Sequence, residues 1–155
     1  MAFTFSVTDP AGNQADTGST SLTVSPDTAI ITSNNITPGT TATGVVSVSN
    51  TGTVDEFYQI TINWSPSGTT TQAAATRLVN ELVVSVTAGS PEATASPAFA
   101  GKMYAPLDQP ASPGQQVTLA TGNEDVQFQV VLPSTATASF QNIDVGFDIV
   151  FVALG

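Results

Sequence analysis

Short runs in which apolar and polar residues alternate constrain the fold of this chain more than any other feature. The clearest are VQFQVV, which begins at Val126, and VGFDIVFVAL, which begins at Val145. Alternation with a period of two is typical of a strand that buries one face. Roughly nine such runs, spaced about 8 to 12 residues apart with turn residues between them, predict an all-β sandwich of two antiparallel sheets.

Two Pro-Gly pairs, Pro38-Gly39 and Pro113-Gly114, mark tight turns. Proline fixes φ and glycine accepts the positive φ of a type II turn, so each pair predicts a turn that leads into a strand. The strand TATGVVSVSN follows the first pair, and FYQITINW comes after the next turn, at Asn50-Thr51-Gly52. The short connection and the matching alternation predict that these two strands form a hairpin.

One segment, TTTQAAATRLVNELVV, has a helical pattern. Thr70 or Thr71 can cap its start, and the three alanines that follow are strong helix formers. Two leucines four residues apart give it an apolar stripe that would face the sheets. We therefore predict one short helix over about residues 72–81, then a strand, an irregular loop over residues 88–101 and a strand at KMYAPL.

The charge of the chain excludes several kinds of partner. The formal net charge is −10, from 12 acidic residues against Arg77 and Lys102. A nucleic-acid-binding protein needs a basic surface to neutralise phosphates, so nucleic acid is excluded as a partner. The same charge disfavours anionic lipid surfaces. No apolar run approaches the roughly 18 residues of a membrane helix, so we expect no membrane span.

The composition also bears on where the protein works. Charged residues make up only 9% of the chain, and cysteine is absent. Polarity comes instead from serine and threonine, which suit the surface of a β-sheet protein. No basic segment followed by an apolar one stands at the start, so the chain is either cytoplasmic or a mature form whose signal peptide has been removed. We expect the second: a secreted protein that is extracellular or lies on the cell surface.

Residues for catalysis are missing from the chain. It has no histidine and no cysteine, which excludes Ser-His-Asp and Cys-His mechanisms and ordinary zinc sites. The acidic pairs Asp55-Glu56 and Glu124-Asp125 fall beside predicted turns, where we interpret them as solvated. We expect no enzyme activity and no cofactor, although calcium bound through carboxylates and loop carbonyls stays open.

Three single residues suggest covalent modification. Lys102 is the one lysine of the chain, and a lone lysine in an all-β surface protein can form an isopeptide bond to asparagine; an exposed, solubilising amine is the interpretation we favour. Asn35 and Asn63 each begin an Asn-X-Ser/Thr triplet and are candidate glycosylation sites.

The N-terminal segment, MAFTFSVT, is itself an alternating strand. Phe3, Phe5 and Val7 share one face of it, and a turn-rich stretch follows. We divide the chain into an N-terminal strand over residues 1–9, a flexible linker over 10–19 and a sandwich domain over 20–155. A terminal strand on a flexible linker can add to the open sheet edge of another subunit, where it would satisfy edge groups and bury its phenylalanines.

Several stretches resemble one known family. Residues 17–63 run from a short strand through the Pro-Gly turn, a valine strand and an NTGT turn to an aromatic strand. ATRLVNELVVSV, KMYAPL and VQFQVVLPSTATASFQNIDVGFDIVFVA then agree in order with a short helix leading into a strand, an aromatic strand and a closing strand pair. This layout resembles the TasA/camelysin family of secreted matrix-fibre proteins, which includes archaeal bundling pilins.

The resemblance implies a jelly-roll-like sandwich that polymerises outside the cell by donor-strand exchange, in which the N-terminal donor strand of one subunit completes the sheet of the next. Camelysins have been described as metallopeptidases, but this chain has no histidine, so no peptidase activity carries over. The leading hypothesis is a structural subunit of an extracellular filament or pilus that bundles in a biofilm matrix, with copies of itself as partners. The alternative is a monomeric carbohydrate-binding or adhesin-type sandwich module.

Overall fold

The structure, a computed structural model, describes residues 6–8, 14–16, 18–26, 30–31, 36–89, 97–103, 113–137, 140 and 142–154; for the first two ranges and for residues 97–99 it describes the backbone alone. Ten strands and one helix lie in these ranges. In chain order they are β1 (Ser6–Thr8), β2 (Gln14–Asp16), β3 (Leu22–Ser25), β4 (Thr41–Asn50), β5 (Glu56–Pro66), α1 (Gln72–Glu81), β6 (Val83–Ala88), β7 (Pro97–Lys102), β8 (Gln115–Val117), β9 (Asn123–Val131) and β10 (Val145–Leu154).

The strands form two stacked sheets and a separate hairpin. The larger sheet has the order β3-β4-β9-β6-β7, the smaller has the order β10-β5-β8, and β1 pairs with β2 alone. Every pairing is antiparallel. The predicted all-β sandwich of two antiparallel sheets with a single short helix is therefore confirmed, while its jelly-roll-like topology stays a prediction.

The core lies between the inner faces of the two sheets. In β9, residues at every second position are buried and those between them are half-exposed, as the alternation of the sequence predicts. The same holds for the first half of β5 and for most of β4. The most buried apolar side chains of the core come from both sheets and from the segments beside them: Val48, Tyr58, Leu82, Val84, Met103, Val117, Val126, Phe128 and Leu132.

The helix has the predicted bounds, Gln72–Glu81. The Thr71 hydroxyl caps it by accepting a hydrogen bond from the Ala74 N–H at 3.3 Å. Ala75 and Val79 are buried against the sandwich. Thr70, the other predicted cap, instead accepts a hydrogen bond from the Asp144 N–H at 2.8 Å and so fixes the chain just before β10.

The predicted hairpin between β4 and β5 is wrong, because the two strands lie in different sheets. The connection between them crosses from one sheet to the other and is held by the buried side chain of Asn50. Its amide donates to the carbonyls of Val54, at 2.8 Å, and Val117, at 3.1 Å, and its oxygen accepts from the Gly52 N–H at 2.9 Å. Alternation along a strand does not specify its partner, and these three bonds stabilise an arch rather than a hairpin turn.

Both Pro-Gly pairs form the predicted turns. Gly39 has a φ of 88° and Gly114 a φ of 99°, which only glycine adopts readily. At Gly114 a side chain is excluded for a second reason, since a Cβ there would lie 2.5 Å from the carbonyl oxygen of Tyr58. This close approach lets β8 pair with the start of β5.

The irregular loop predicted over residues 88–101 is wrong in its second half, where β7 begins at Pro97. Its residues PAFAGK carry no clear alternation, but pairing with β6 fixes them as an edge strand, with Ala100 opposite Ser85. Pairing of this kind overrides weak local propensity. The strand predicted at KMYAPL overlaps β7 only at Lys102, and its last four residues lie outside the described residues.

Candidate functional site

The longest strand edge of the smaller sheet is open. β10 pairs with β5 along its whole length, from Val145 opposite Pro66 to Leu154 opposite Phe57. None of the strands that the structure describes pairs with the other edge of β10. An edge strand of ten residues presents a row of main-chain N–H and C=O groups to which another strand can add.

The inner face of β10 is covered only in part. Phe147, Ile149 and Phe151 point into the sandwich and pack on the core, yet all three stay half-buried. On β5, Ile62 and Ile60, which lie opposite Ile149 and Phe151, are almost fully buried, whereas Trp64, opposite Phe147, is half-buried as well. The ring of Phe151 reaches Tyr58 at 5.6 Å and Phe128 at 6.2 Å between centroids, so this row continues the core to the open edge. A strand beside β10 would find both unpaired main-chain groups and apolar side chains to cover.

The outer face of β10 is partly apolar as well. Val150 is 40% exposed and Val152 is 44% exposed. They lie opposite Thr61 and Gln59 of β5. The open edge is therefore flanked by apolar side chains on both faces.

The predicted donor strand is described only in its second half. Phe3 and Phe5 lie outside the described residues. Val7 lies in β1, opposite Ala15 of β2. The partner strand β2 falls inside the segment predicted as a flexible linker, residues 10–19, so part of that segment forms a strand. Within one chain β1 and the edge of β10 belong to different sheets, and neither pairs with the other.

The chain is fixed to the sandwich directly after this hairpin. Ser19 accepts from the Thr53 N–H and donates its own N–H to the Thr53 hydroxyl, both at 2.9 Å. The carbonyl of Ser21 accepts from the Thr51 N–H at 2.8 Å, and the Ser21 N–H donates to the carboxylate of Glu56. Only two residues thus separate β2 from an anchored part of the domain.

Glu56 and Glu124, which the sequence pattern led us to interpret as solvated turn acids, are in fact buried. Glu56 is 1% exposed and Glu124 is 9% exposed, because both fall on inward positions of β5 and β9. Their neighbours Asp55 and Asp125 point the other way and are at least partly exposed. The alternation that places Val126 and Phe128 inward also places Glu124 inward, so the sequence contained the signal.

Polar side chains surround Glu124 inside the core. The Tyr58 hydroxyl donates to its Oε1 at 2.6 Å, and the Gln115 amide donates to its Oε2 at 3.2 Å. Burial raises the pKa of the Glu124 carboxyl above its ordinary value, and the two hydrogen bonds offset only part of this effect. Burial also raises the pKa of Tyr58, and the adjacent carboxylate adds to the rise. The cluster links β5, β8 and β9 and is suited to fixing their positions.

Among the described side chains, no group of three or more carboxylates converges; the chain has no histidine or cysteine. Calcium binding stays a prediction. Lys102 is exposed, and its ammonium donates to the carbonyl of Glu81 at 3.1 Å, where it faces water rather than a buried asparagine. Asn63 is exposed on β5, whereas Asn35 lies outside the described residues. Glycosylation at either asparagine stays a prediction.

Comparison of the sequence with models of known protein families and with curated proteins finds no match. Across the described parts of the chain, no helix has the length and apolar character that crossing a bilayer requires.

Proposed function

We propose that this chain is a structural subunit of an extracellular filament, in which the N-terminal strand of one copy pairs with the open edge of β10 in the next. The observation that carries the proposal is this edge: ten residues long, paired on one side only, and bordered by a half-buried row of Phe147, Ile149 and Phe151. Exposed edges of this length are normally shortened, charged or covered, because they invite pairing with other chains.

The energetics favour such a contact. Each large apolar side chain that moves from water into the groove stabilises the contact by about 1.5–3 kcal/mol. Each main-chain hydrogen bond contributes about 0.5–1.5 kcal/mol more. With Phe3, Phe5 and Val7 on one face of the inserted strand, a single strand is enough to join two subunits.

A contact of this kind uses two different surfaces, the N-terminal strand and the edge of β10. Contacts between unlike surfaces repeat head to tail and, unless they close into a ring, give an open filament. The resemblance of the sequence to the TasA/camelysin family supports the same assembly, and on this basis we propose that the filaments belong to a biofilm matrix outside the cell. The role is structural, so it requires neither catalytic residues nor a cofactor.

Removal of the donor strand tests the proposal. We expect the purified full chain to form filaments visible by negative-stain electron microscopy, and the variant lacking residues 2–8 to stay monomeric. The variant should keep a cooperative thermal transition, since the core side chains that the structure describes all lie outside the deleted segment. Filaments of normal length from the shortened chain would refute donor-strand assembly.

Single substitutions sharpen this test. Phe3→Asp or Phe5→Asp should block polymerisation, because a carboxylate in an apolar groove lacks a partner and costs several kcal/mol to bury. Thr4→Asp is the matched control: it adds the same charge on the opposite face of the strand, and filaments should still form. Equal effects of all three variants would show that charge, rather than burial in a groove, controls assembly.

One observation favours the alternative, a carbohydrate-binding module. A cleft of about 360 Å³ lies between α1 and the segment after β9. Its walls include Asn80, Glu81, Thr135 and Phe140, and the guanidinium of Arg77 lies 5.7 Å from the centre of the Phe140 ring. Hydroxyl, amide and carboxylate groups beside an aromatic ring suit a sugar. Calorimetric titration with neutral oligosaccharides would detect such binding, and binding without filaments would favour this function over ours.

A further inference from the structure

The face of the larger sheet that points away from the core is almost free of charge. Its members follow from the register of β3, β4, β9, β6 and β7, which places outward-pointing residues side by side. We call it the neutral face; its residues are Thr23, Ser25, Thr41, Thr43, Val45, Ser47, Ser49, Val83, Ser85, Thr87, Ala100, Lys102, Asn123, Asp125, Gln127, Gln129 and Val131.

Charge on the neutral face is limited to two of its members, Asp125 and Lys102, which have opposite signs. Its formal charge is therefore zero, although the whole chain carries −10. The share of charged residues on the face is about as low as in the whole chain, where it is 9%, well below the roughly 25% of typical soluble domains, and on this face the two signs balance. Burying this face against another molecule removes few charges from water, so the large desolvation penalty for buried ions is avoided, while the hydroxyls and amides regain hydrogen bonds from the partner.

The chemistry of the neutral face makes it complementary to itself. Hydroxyl groups and the amides of Gln127 and Gln129 each contain both donors and acceptors. Such groups can pair with a second copy of the same set, whereas a face of one charge would repel its copy. Val45, which is 38% exposed, adds an apolar contact near the middle of the face.

The dimensions of the neutral face suit a repeated contact. Strands about 4.8 Å apart and residues about 3.4 Å apart give a face about 19 Å wide and, along β4 and β9, about 27 Å long, or at most about 500 Å². A stable interface between two free proteins buries about 800 Å² on each partner. One pair of neutral faces is therefore marginal alone, but contacts repeated along two filaments act together and bind by avidity.

We propose that the neutral face is the surface by which copies of this chain pack side by side, sheet against sheet, when filaments bundle. The inference rests on the proposed function for the filament and adds the surface and the partner of lateral contact, which is a second copy of the chain. End-to-end contact uses the edge of β10 in the smaller sheet, and side-to-side contact uses the opposite side of the sandwich. The two contacts therefore form independently.

A charge placed on the neutral face tests the proposal. Gln127→Glu puts like charges into every face-to-face contact, so the fraction of filaments found in bundles by electron microscopy should fall at least about tenfold while filament length is unchanged. Gln72→Glu is the matched control: it makes the same change at an exposed position at the start of α1, and bundling should persist. Gln127→Thr, which stays neutral, should bundle as the wild type does.

Other outcomes separate the two proposals. If Gln127→Glu and the more exposed Thr43→Glu both bundle as the wild type does, the neutral face is not the lateral surface. If purified wild-type filaments stay single until a neutral oligosaccharide, too short to act by excluded volume, is added, the partner is not a second copy, and our inference is likewise overturned.

If the wild type forms no filaments at all, the proposed function fails, and the neutral face is then tested in the monomer. Analytical ultracentrifugation at high protein concentration should detect dimers that Gln127→Glu abolishes and Gln72→Glu retains. A wild type that stays monomeric at every concentration would overturn the inference.

Discussion

At the scale of single residues, Glu124 gives the core a dependence on pH. Burial raises the pKa of its carboxyl above the ordinary value of 4.5, so the folded state binds this proton more tightly than the unfolded state does. The resulting stabilisation is fully present below the ordinary pKa and is lost as the pH rises through the raised pKa. The sandwich should therefore lose stability in this interval, although most of its acidic groups lie outside the core.

Glu124→Gln should remove this dependence. The amide keeps an oxygen that accepts from the Tyr58 hydroxyl but has no proton to lose. We expect the free energy of unfolding of the wild type to fall relative to that of the variant as the pH rises above the ordinary carboxyl pKa of 4.5, as measured by urea denaturation.

The control for this prediction is Asp125→Asn, which removes the same charge one residue away on the outer face of β9. It should keep the pH dependence of the wild type. If wild type and Glu124→Gln instead lose or gain stability in parallel across the whole pH range, Glu124 does not titrate in this interval.

At the scale of secondary-structure elements, β1 lies in a hairpin, and this raises the question of how it reaches another subunit. It can leave β2 and insert alone, or β1 and β2 can dock together. Docking of the pair would extend the smaller sheet from three strands to five, the number in the larger sheet. Its new edge would then be β2, which is short and carries Asp16, two features that discourage further pairing.

A disulfide across the hairpin distinguishes the two routes. Val7 and Ala15 are direct partners, and the chain has no other cysteine, so Val7→Cys with Ala15→Cys can form only this bond. We expect the oxidised double variant to form filaments at the rate of its reduced form, because the hairpin docks as a unit. Light scattering, recorded before and after reduction of the disulfide, measures the two rates of filament formation.

Polymerisation that begins only after reduction would show that β1 must leave β2 before it inserts. The single variant Val7→Cys, with its thiol blocked, controls for the loss of the valine side chain. Either result leaves donor-strand assembly itself in place.

The elements also show what sequence patterns can and cannot predict. The helix was predicted with correct bounds because a threonine cap and a run of alanines act locally. β9 and β10 were evident from alternation, and so was the inward row of Phe147, Ile149 and Phe151. Which strands pair was not evident, because alternation specifies a face and not a neighbour; the wrong hairpin of β4 with β5 has this cause.

The open edge of β10 lies beyond sequence reasoning for the same reason. Phe147 and Phe151 were predictable as inward residues, but whether a strand covers their edge depends on the order of strands in the sheet. Glu124 is a different case. Alternation in β9 assigns it to the inner face, whereas its charge is typical of a solvated position; in the folded chain the position in the strand decides.

At the scale of the whole molecule, assembly must bring together chains that each carry a net charge of −10. Repulsion of this kind extends about 30 Å in 10 mM salt and about 8 Å in 150 mM salt. Filament formation should therefore be several-fold faster at the higher salt concentration, as measured by light scattering. This is the opposite of the salt dependence of association between oppositely charged partners.

Asp148→Asn provides an internal check on this prediction. Asp148 is exposed on the outer face of β10, beside the edge where the strand would add. Removal of the Asp148 charge should speed assembly at 10 mM salt and have little effect at 150 mM, where the field of this charge is screened. A wild-type rate that falls as salt is added would contradict the expectation for the whole chain.

The anchoring of Ser19 and Ser21 to the turn before β5 has a mechanical consequence. In a filament whose subunits are joined by β1 and β2 docked together, a pulling force passes from one domain to the next through the chain that follows β2. Only two residues lie between that strand and Ser19, which is hydrogen-bonded to the domain. The connection between two subunits can therefore extend very little under force. Force along an inserted strand loads all its ladder bonds together rather than one after another. The fibre should therefore extend little under force and then break abruptly.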